Sequence, residues 1–478
     1  MFDIGQYLQE GRKYYIYGTR EIGEYLYSKI EGQWGSEAVE GFLETSPTIV
    51  ECNGKRVYAL SQVAGLDFDE DTYFLLAAAN AYEDMRQNLV KRGIQNDRII
   101  TLKEMYPYFK NIRLYKGGQI QKVCFWPPIK EGDTGIQKKI SWFLPERANV
   151  TVWCDHLMKS AFNENVSIAQ LEECEKYFEE SDVIYVWDVT EDFGSVEKYI
   201  DKIYVADPNF YKYVETNNYS SLYYMSLSET DKEQVLCRSK QLFEGLKREN
   251  KEKRANIFCT GPTIEEIYAM KFDPAFNIIT NSLVKDRKLL ERIRPRILVF
   301  DDLNFYVSPH KYGEKFYEDV LDAVRRYDMY IVTFLLRVPL IAAHFPELEN
   351  KIIGIPFDAS QYCFPSQEKF CTKNTSNILT ELILPVASAL CDEIGIAGCT
   401  GRKPDESYYW KHNPDTQYLD LMQSVFDMYP SVFRDQRYGN YYEKHCRNVE
   451  GLLSYGEGFG KRYINLTTSF IPALQKRS

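Results

Sequence analysis

Short apolar runs alternate with amphipathic stretches from one end of this chain to the other, which leaves few folds open to it. In the first segment Tyr14-Tyr15-Ile16-Tyr17, Val39-Glu40-Gly41-Phe42-Leu43, Tyr73-Phe74-Leu75-Leu76-Ala77 and Asp97-Arg98-Ile99-Ile100-Thr101 read as strands. Helices are expected over 24–30 and 81–92, the second stopped by Gly93. From near Tyr115 the pattern resumes with strands at 123–126, 150–153, 183–187 and 202–205, a helix over 168–180 and a charged helix over 229–253. The last segment has strands at 256–259, 277–280, 297–300, 393–398 and 462–466, with helices over 378–390 and 441–456. Strand–helix alternation at this spacing predicts parallel βαβ units. At about 150 residues per domain, 478 residues make room for three of them. The expected fold is therefore α/β, with three Rossmann-like parallel-sheet domains at 1–112, 113–253 and 254–478. The charged run 247–254 serves as a solvated helix end and connector before the last.

Composition narrows the function classes. The chain is 44% hydrophobic and 27% charged, an ordinary globular balance, with mean hydropathy −0.41. No apolar run approaches the ~20 residues of a membrane helix, and the opening MFDIGQYLQEGRKYY lacks a basic region followed by an apolar stretch, so no secretory signal is expected. Net charge is −11, which argues against a nucleic-acid partner. The eleven cysteines are odd in number and contain no CxxC pair. They read as reduced, mostly buried small hydrophobes in a cytoplasmic protein, with no thiolate metal site. Most of the 37 tyrosines are expected to be packing residues.

Several turns carry residues suited to binding. Gly18-Thr19-Arg20-Glu21-Ile22-Gly23 follows the first strand like a degenerate phosphate cradle with Arg20 at its middle position, and Glu44 stands where a ribose hydroxyl would be met. In the last segment three consecutive strands run into polar exits: Thr260-Gly261-Pro262-Thr263, Asn281-Ser282 and Asp301-Asp302. Ligands bind at the carboxyl ends of an open parallel sheet. Thr263 is expected to cap a helix with Glu266 as its capping-box partner, leaving N–H groups that favour an anion. Lys373-Asn374-Thr375-Ser376 before the helix over 378–390 is a second anion-friendly entrance. The strand over 393–398 ends at Gly398, and the loop that follows carries Thr400, Arg402, Tyr408, Tyr409, Lys411 and His412. Arg337 is read as a structural ion pair, His445 as a helix residue, and His310 as a candidate for touching a ligand; His156 and His344 give no signal.

The first hundred residues, on YGTREIG and the strand order, resemble the small Rossmann-like N-terminal domain of PglD-type sugar acetyltransferases. Residues 254–470 resemble the bacterial sialyltransferase-like glycosyltransferases and related proteins of that fold, on the ordered series CTGPTIEEI, IITNSL, VFDDLNF, TKNTSNIL, EIGIAGCT, YYWKHN and YYEKHCRNVEGLLSYGEGFGKRYINLT. The resemblance makes the last domain a sialyltransferase-like variant. It implies that Gly261, Pro262, Thr263 and Asn281 hold the nucleotide and its phosphate, that Asp302 and Ser376 line the sugar-nucleotide pocket, and that His412 is the general base. This chain departs from the family at Cys399-Thr400, where an Asp often follows the strand glycine, in the short gap from Gly398 to His412, and in Thr263 for serine.

Sequence and resemblance together lead to the expectation of a glycosyltransferase. It would move a sugar, a sialic or other ulosonic acid among the candidates, from a CMP-linked donor to a glycan acceptor in bacterial surface polysaccharide synthesis. An imidazole near pKa 6.5 suits deprotonation of the acceptor hydroxyl. Tyr408 and Tyr409, with Lys373 and Lys411 as alternates, suit the departing phosphate. Nothing makes a convincing DxD metal clamp, and Asp301-Asp302 lacks that spacing, so no cofactor or metal is expected. Peripheral membrane contact and oligomeric state stay open. Two other readings remain: a Mg²⁺-dependent diphosphokinase of the same wider fold, with Asp301 and Asp302 holding the ion, and a non-catalytic nucleotide-sugar-binding protein.

Overall fold

The computed structural model describes residues 4–19, 21–47, 49–66, 68–78, 82–102, 119–130, 133–144, 149–154, 164–169, 173–188, 197–205, 215–271, 274–402, 415–429 and 439–477. The expected class holds: three mostly parallel sheets are flanked by helices.

The first sheet has six strands: β1 (Lys13–Tyr17), β2 (Val39–Glu44), β3 (Glu51–Cys52), β4 (Lys55–Ala59), β5 (Thr72–Leu76) and β6 (Ile99–Thr101), in the order β3-β4-β2-β1-β5-β6. Only β3 and β4 pair antiparallel. The second has five: β7 (Lys122–Ile129), β8 (Asn149–Cys154), β9 (Val166–Ala169), β10 (Val183–Val186) and β11 (Ile203–Val205), in the order β11-β10-β7-β8-β9. Both sheets belong to one compact unit. Its apolar cluster runs from Tyr14, Ile16 and Phe42 through Trp126, Phe178 and Val186.

The second unit is built on seven strands: β12 (Arg254–Phe258), β13 (Phe276–Thr280), β14 (Ile297–Val299), β15 (Tyr330–Phe334), β16 (Ile352–Ile355), β17 (Glu393–Ala397) and β18 (Arg462–Asn465). All pair in parallel, in the order β16-β15-β14-β13-β12-β17-β18. Strands such as IFC, IIT and ILV are apolar on successive positions because helices cover both faces of the sheet. Ile257, Ile278, Val299, Val332 and Ile396 lie in the core on one face with Phe243 and Leu246 of the helix Glu229–Glu249. The chain steps outward from β12 to β16, then crosses back to β17 on the other side of β12. The β12/β17 junction is therefore the switch point at which open α/β sheets form a crevice.

Several local expectations are corrected. Residues 166–169 form strand β9, and the helix expected over 168–180 begins only at Cys174. β6 begins at Ile99, with 96–98 in a helical turn. The helix expected over 378–390 opens with a wide-turn segment, Leu379–Ile383, before it continues as Leu384–Leu390. The charged run 247–254 is exposed or half-exposed along its length, as expected. Among the described residues no helix is long and apolar enough to cross a membrane. All described cysteines are free; most are buried, while Cys237 is exposed.

Candidate functional site

The register of the seven-stranded sheet sets the order of its polar exits. Phe258 pairs with Ile279 and with Ala397, and Thr280 pairs with Val299. The Gly398, Thr260, Asn281 and Asp301 exits therefore stand side by side on one carboxyl edge. At about 4.8 Å per strand, the four exits span roughly 14 Å.

At the switch point the exits of β12 and β17 are stitched together. The Gly261 N–H donates to the Gly398 carbonyl at 2.9 Å, and the Thr263 N–H to Thr400 Oγ1 at 3.1 Å. The Thr263 and Thr400 hydroxyls lie 2.7 Å apart, and the Gly398 N–H donates to Thr467 Oγ1 at 2.9 Å. Gly398 sits at φ +72°, and a Cβ there would fall 2.3 Å from the Cys259 carbonyl oxygen. Only glycine lets the two strand exits approach this closely. The cap expected at Thr263 is corrected. The helix is a 3₁₀ segment, Pro262–Ala269, whose N-cap is Gly261 without a side-chain cap. Glu266 instead accepts the Thr468 N–H at 2.9 Å. The proline at the first helical position removes one N–H, and the bonds to Gly398 and Thr400 use two others, so this turn offers an anion less than its sequence promised.

The second expected anion entrance differs in the same way. The Glu381 carboxylate is buried beneath the 373–376 loop, and its Oε1 accepts the N–H groups of Thr375 at 2.8 Å and Ser376 at 2.6 Å. The protein's own carboxylate takes the place of the expected external anion. Asn374 Oδ1 also faces the Ser376 N–H, at 3.2 Å, and the Lys373 ammonium lies over the Tyr362 ring at 4.3 Å. In the first unit the pattern recurs. Glu44 Oε1 accepts from both the N–H and the hydroxyl of Thr19, at 3.0 and 2.7 Å, rather than standing open for a ribose.

Beside this lies the acidic part of the rim. Arg337, 2% exposed, points its Nε at Asp301 Oδ1 at 3.3 Å, which makes it the ion pair its sequence suggested. Burial pushes the Asp301 carboxyl up to about 7; Arg337 pulls it down, and Glu381 and Asp302 push it further up. Asp302 is exposed at the rim, yet the protein packed around it pushes its carboxyl up to about 7, and a hydrogen bond from the Asn304 backbone N–H pulls it down. A carboxyl group titrating near neutrality at a strand exit can accept or deliver a proton. Asn281 turns its backbone to φ +50°, and its buried Oδ1 has no hydrogen-bond partner among the described residues. The Ser282 and Tyr312 hydroxyls gather around that of Tyr306, and Tyr312 donates to Gln417.

His310 has both ring nitrogens engaged by the backbone. It caps the helix Lys311–Tyr327: Nδ1 accepts the Gly313 N–H at 2.9 Å, which leaves Nε2 to donate to the Asn304 carbonyl at 2.7 Å. Burial lowers its pKa below the ordinary 6.5. A histidine held neutral when folded binds fewer protons than when unfolded. Its stabilising contribution is therefore present above pH 6.5 and is lost as pH falls below it. Replacing His310 with alanine removes a cap and should cost about 1–2 kcal/mol at pH 7.5; urea unfolding should show the deficit shrinking toward pH 5. His445 is buried in its helix and pushed down to about 4 by burial, and His344 stacks on Trp142 at 4.3 Å.

Among the expected site residues, Thr260, Gly261, Pro262, Thr263, Gly398 and Thr400 come together at the switch point. Asn281, Ser282, Asp301 and Asp302 stand on the neighbouring exits, and Thr375 and Ser376 join Asp301 through Glu381. His412, Tyr408, Tyr409 and Lys411 lie outside the described residues, as does His156. Sequence reasoning missed Glu381 and Tyr306. A lone acid within the apolar run NILTELILPV was the signal for the first; among so many tyrosines there was none for the second. Among the described residues no group of three His, Cys, Asp or Glu side chains is arranged to hold a metal ion. No known family's model matches the chain, and no curated protein matches it.

Proposed function

We propose that the chain is a glycosyltransferase that binds a nucleotide-sugar, CMP-linked, along the carboxyl edge of the seven-stranded sheet and passes its sugar to a glycan acceptor. The observation that supports this reading is the row of adjacent polar exits at a switch point, with a buried amide oxygen on Asn281 that has no partner among the described residues, next to the carboxyls of Asp301 and Asp302. Carboxylates and amides are good partners for sugar hydroxyls. Glycosyl transfer passes through an oxocarbenium-like state and needs a group to take the acceptor proton. His412 is the sequence candidate, and Asp302 is the carboxyl within reach of solvent. Because the backbone donors at 263 and 375–376 are used internally, the phosphate would rely on cationic side chains, with Lys373 and Arg402 the candidates carried by the neighbouring loops.

A thermal-shift panel of CMP, UDP, GDP and ATP, each with and without Mg²⁺, tests the reading. A ligand at a hundredfold excess over its Kd stabilises the folded state by about 2.7 kcal/mol, which for a unit of this size raises Tm by roughly 5–10 °C. CMP is expected to do so without metal. Stabilisation by Mg-ATP alone would replace this reading with a phosphotransferase, and a flat panel would leave no nucleotide chemistry to propose.

A further inference from the structure

The switch point holds a pair of thiols that the proposed transfer chemistry does not use. Cys259 leaves β12 and Cys399 follows the Gly398 turn after β17, so residues 140 apart in sequence meet beneath the rim. Their sulfurs lie 3.0 Å apart, with the Cys399 S–H directed at Cys259 Sγ. Both are buried, 9% and 7% exposed, in an otherwise apolar cluster. The backbone on each side is pinned. The Cys259 N–H donates to the Ala397 carbonyl at 2.9 Å, and the Cys399 carbonyl accepts the Ser469 hydroxyl at 2.7 Å. A disulfide needs its sulfurs at about 2.05 Å, so closure asks for a movement of about 1 Å, within the reach of a side-chain rotation.

We propose that Cys259 and Cys399 are an oxidisable pair, a modification site that closes to a disulfide across the β12 and β17 exits under a hydroperoxide. The Cys259 sulfur, which accepts the S–H bond, is the attacking atom. As its thiolate it cleaves the O–O bond of hydrogen peroxide, becoming a sulfenic acid, and the departing oxygen takes a proton and leaves as water. The Cys399 sulfur then attacks that sulfur and displaces the hydroxyl, which leaves as a second water with the Cys399 proton. Two thiols lose two electrons and two hydrogens, and one peroxide becomes two waters. Burial makes the reaction slow rather than absent, and peroxide is small enough to reach a site that larger disulfides cannot.

The test is peptide mapping of the full-length protein. Accessible thiols, Cys237 among them, are blocked in the native state with N-ethylmaleimide. The protein is then exposed to hydrogen peroxide, denatured, and its remaining thiols are labelled with a second maleimide. The expected product is a peptide joining 259 to 399, lighter by two hydrogens and separated by dithiothreitol. Cys399→Ser should abolish it and leave Cys259 as a sulfenic acid that dimedone traps. Should that variant fail to fold, the wild-type map decides alone. Recovery of both residues as free thiols, after peroxide that oxidises Cys237 in an unblocked sample, would overturn the proposal, as would a bridge from Cys259 to any other cysteine.

Discussion

Replacing Arg337 with methionine is expected to cost about 3–5 kcal/mol of folding stability, because loss of one partner leaves a buried charge uncompensated. Arg337 is 2% exposed and sits against Asp301, whose carboxyl also feels Asp302 and Glu381. The methionine keeps most of the buried volume and removes only the charge, so the loss reads the electrostatics rather than a cavity. The pH dependence follows from the raised carboxyl. A folded pKa of about 7 against 3.8 means that the folded state holds the proton more tightly. That group's favourable contribution is full below about pH 4 and is lost as pH climbs to 7. Without Arg337 the carboxyl rises further, so the variant's deficit in urea unfolding should be small at pH 5 and largest at pH 8. The double variant with Asp301→Asn should recover much of the loss, giving a coupling energy of about 2 kcal/mol. A deficit independent of pH would mean that the guanidinium acts by packing alone.

Glu381→Ala is the second large effect, about 3 kcal/mol. Hydrogen bonds to a charged group contribute about 1.5–3 kcal/mol each. Glu381 accepts two of them, and Asn374 Oδ1 can partly replace it at Ser376. The variant also leaves the Thr375 N–H without its acceptor and the Ser376 N–H with only the longer bond to Asn374. Inorganic phosphate should therefore raise the Tm of Glu381→Ala while leaving the wild-type protein unchanged. A variant as stable as the wild type, or one blind to phosphate, would show that the loop does not depend on an anion.

These two effects mark where the sequence could be read and where it could not. The strands were legible because apolar runs such as Ile257-Phe258 and Ile278-Ile279 are buried on both faces of a parallel sheet. Their polar exits were legible because Thr260, Asn281 and Asp301 each follow such a run directly. Ile168-Ala169 reads as a helix start because so short a run fits either period. Pairing decides it, and β8 supplies the partner. Occupancy of the anion cradles was not legible at all. Nothing in TGPT says that its Thr263 N–H is taken by Thr400, 137 residues on, nor in YGTR that Glu44 has closed over Thr19. A motif reports backbone donors; only the tertiary fold reports who has already claimed them. Arg337 was legible in kind because a cation directly after the apolar run Phe334-Leu335-Leu336 must find an anion, but which acid it meets depended on the order of β14 and β15.

We propose the carboxyl edge of the seven-stranded sheet as the place where this protein meets its ligand. Amide hydrogen exchange, read peptide by peptide with and without saturating CMP, addresses it most directly. Slowed exchange is predicted in 259–264, 280–284 and 300–305, with the β1 turn at 17–23 unchanged. Protection confined to that turn, or no protection at these three exits with any of the four nucleotides at saturation, would contradict it.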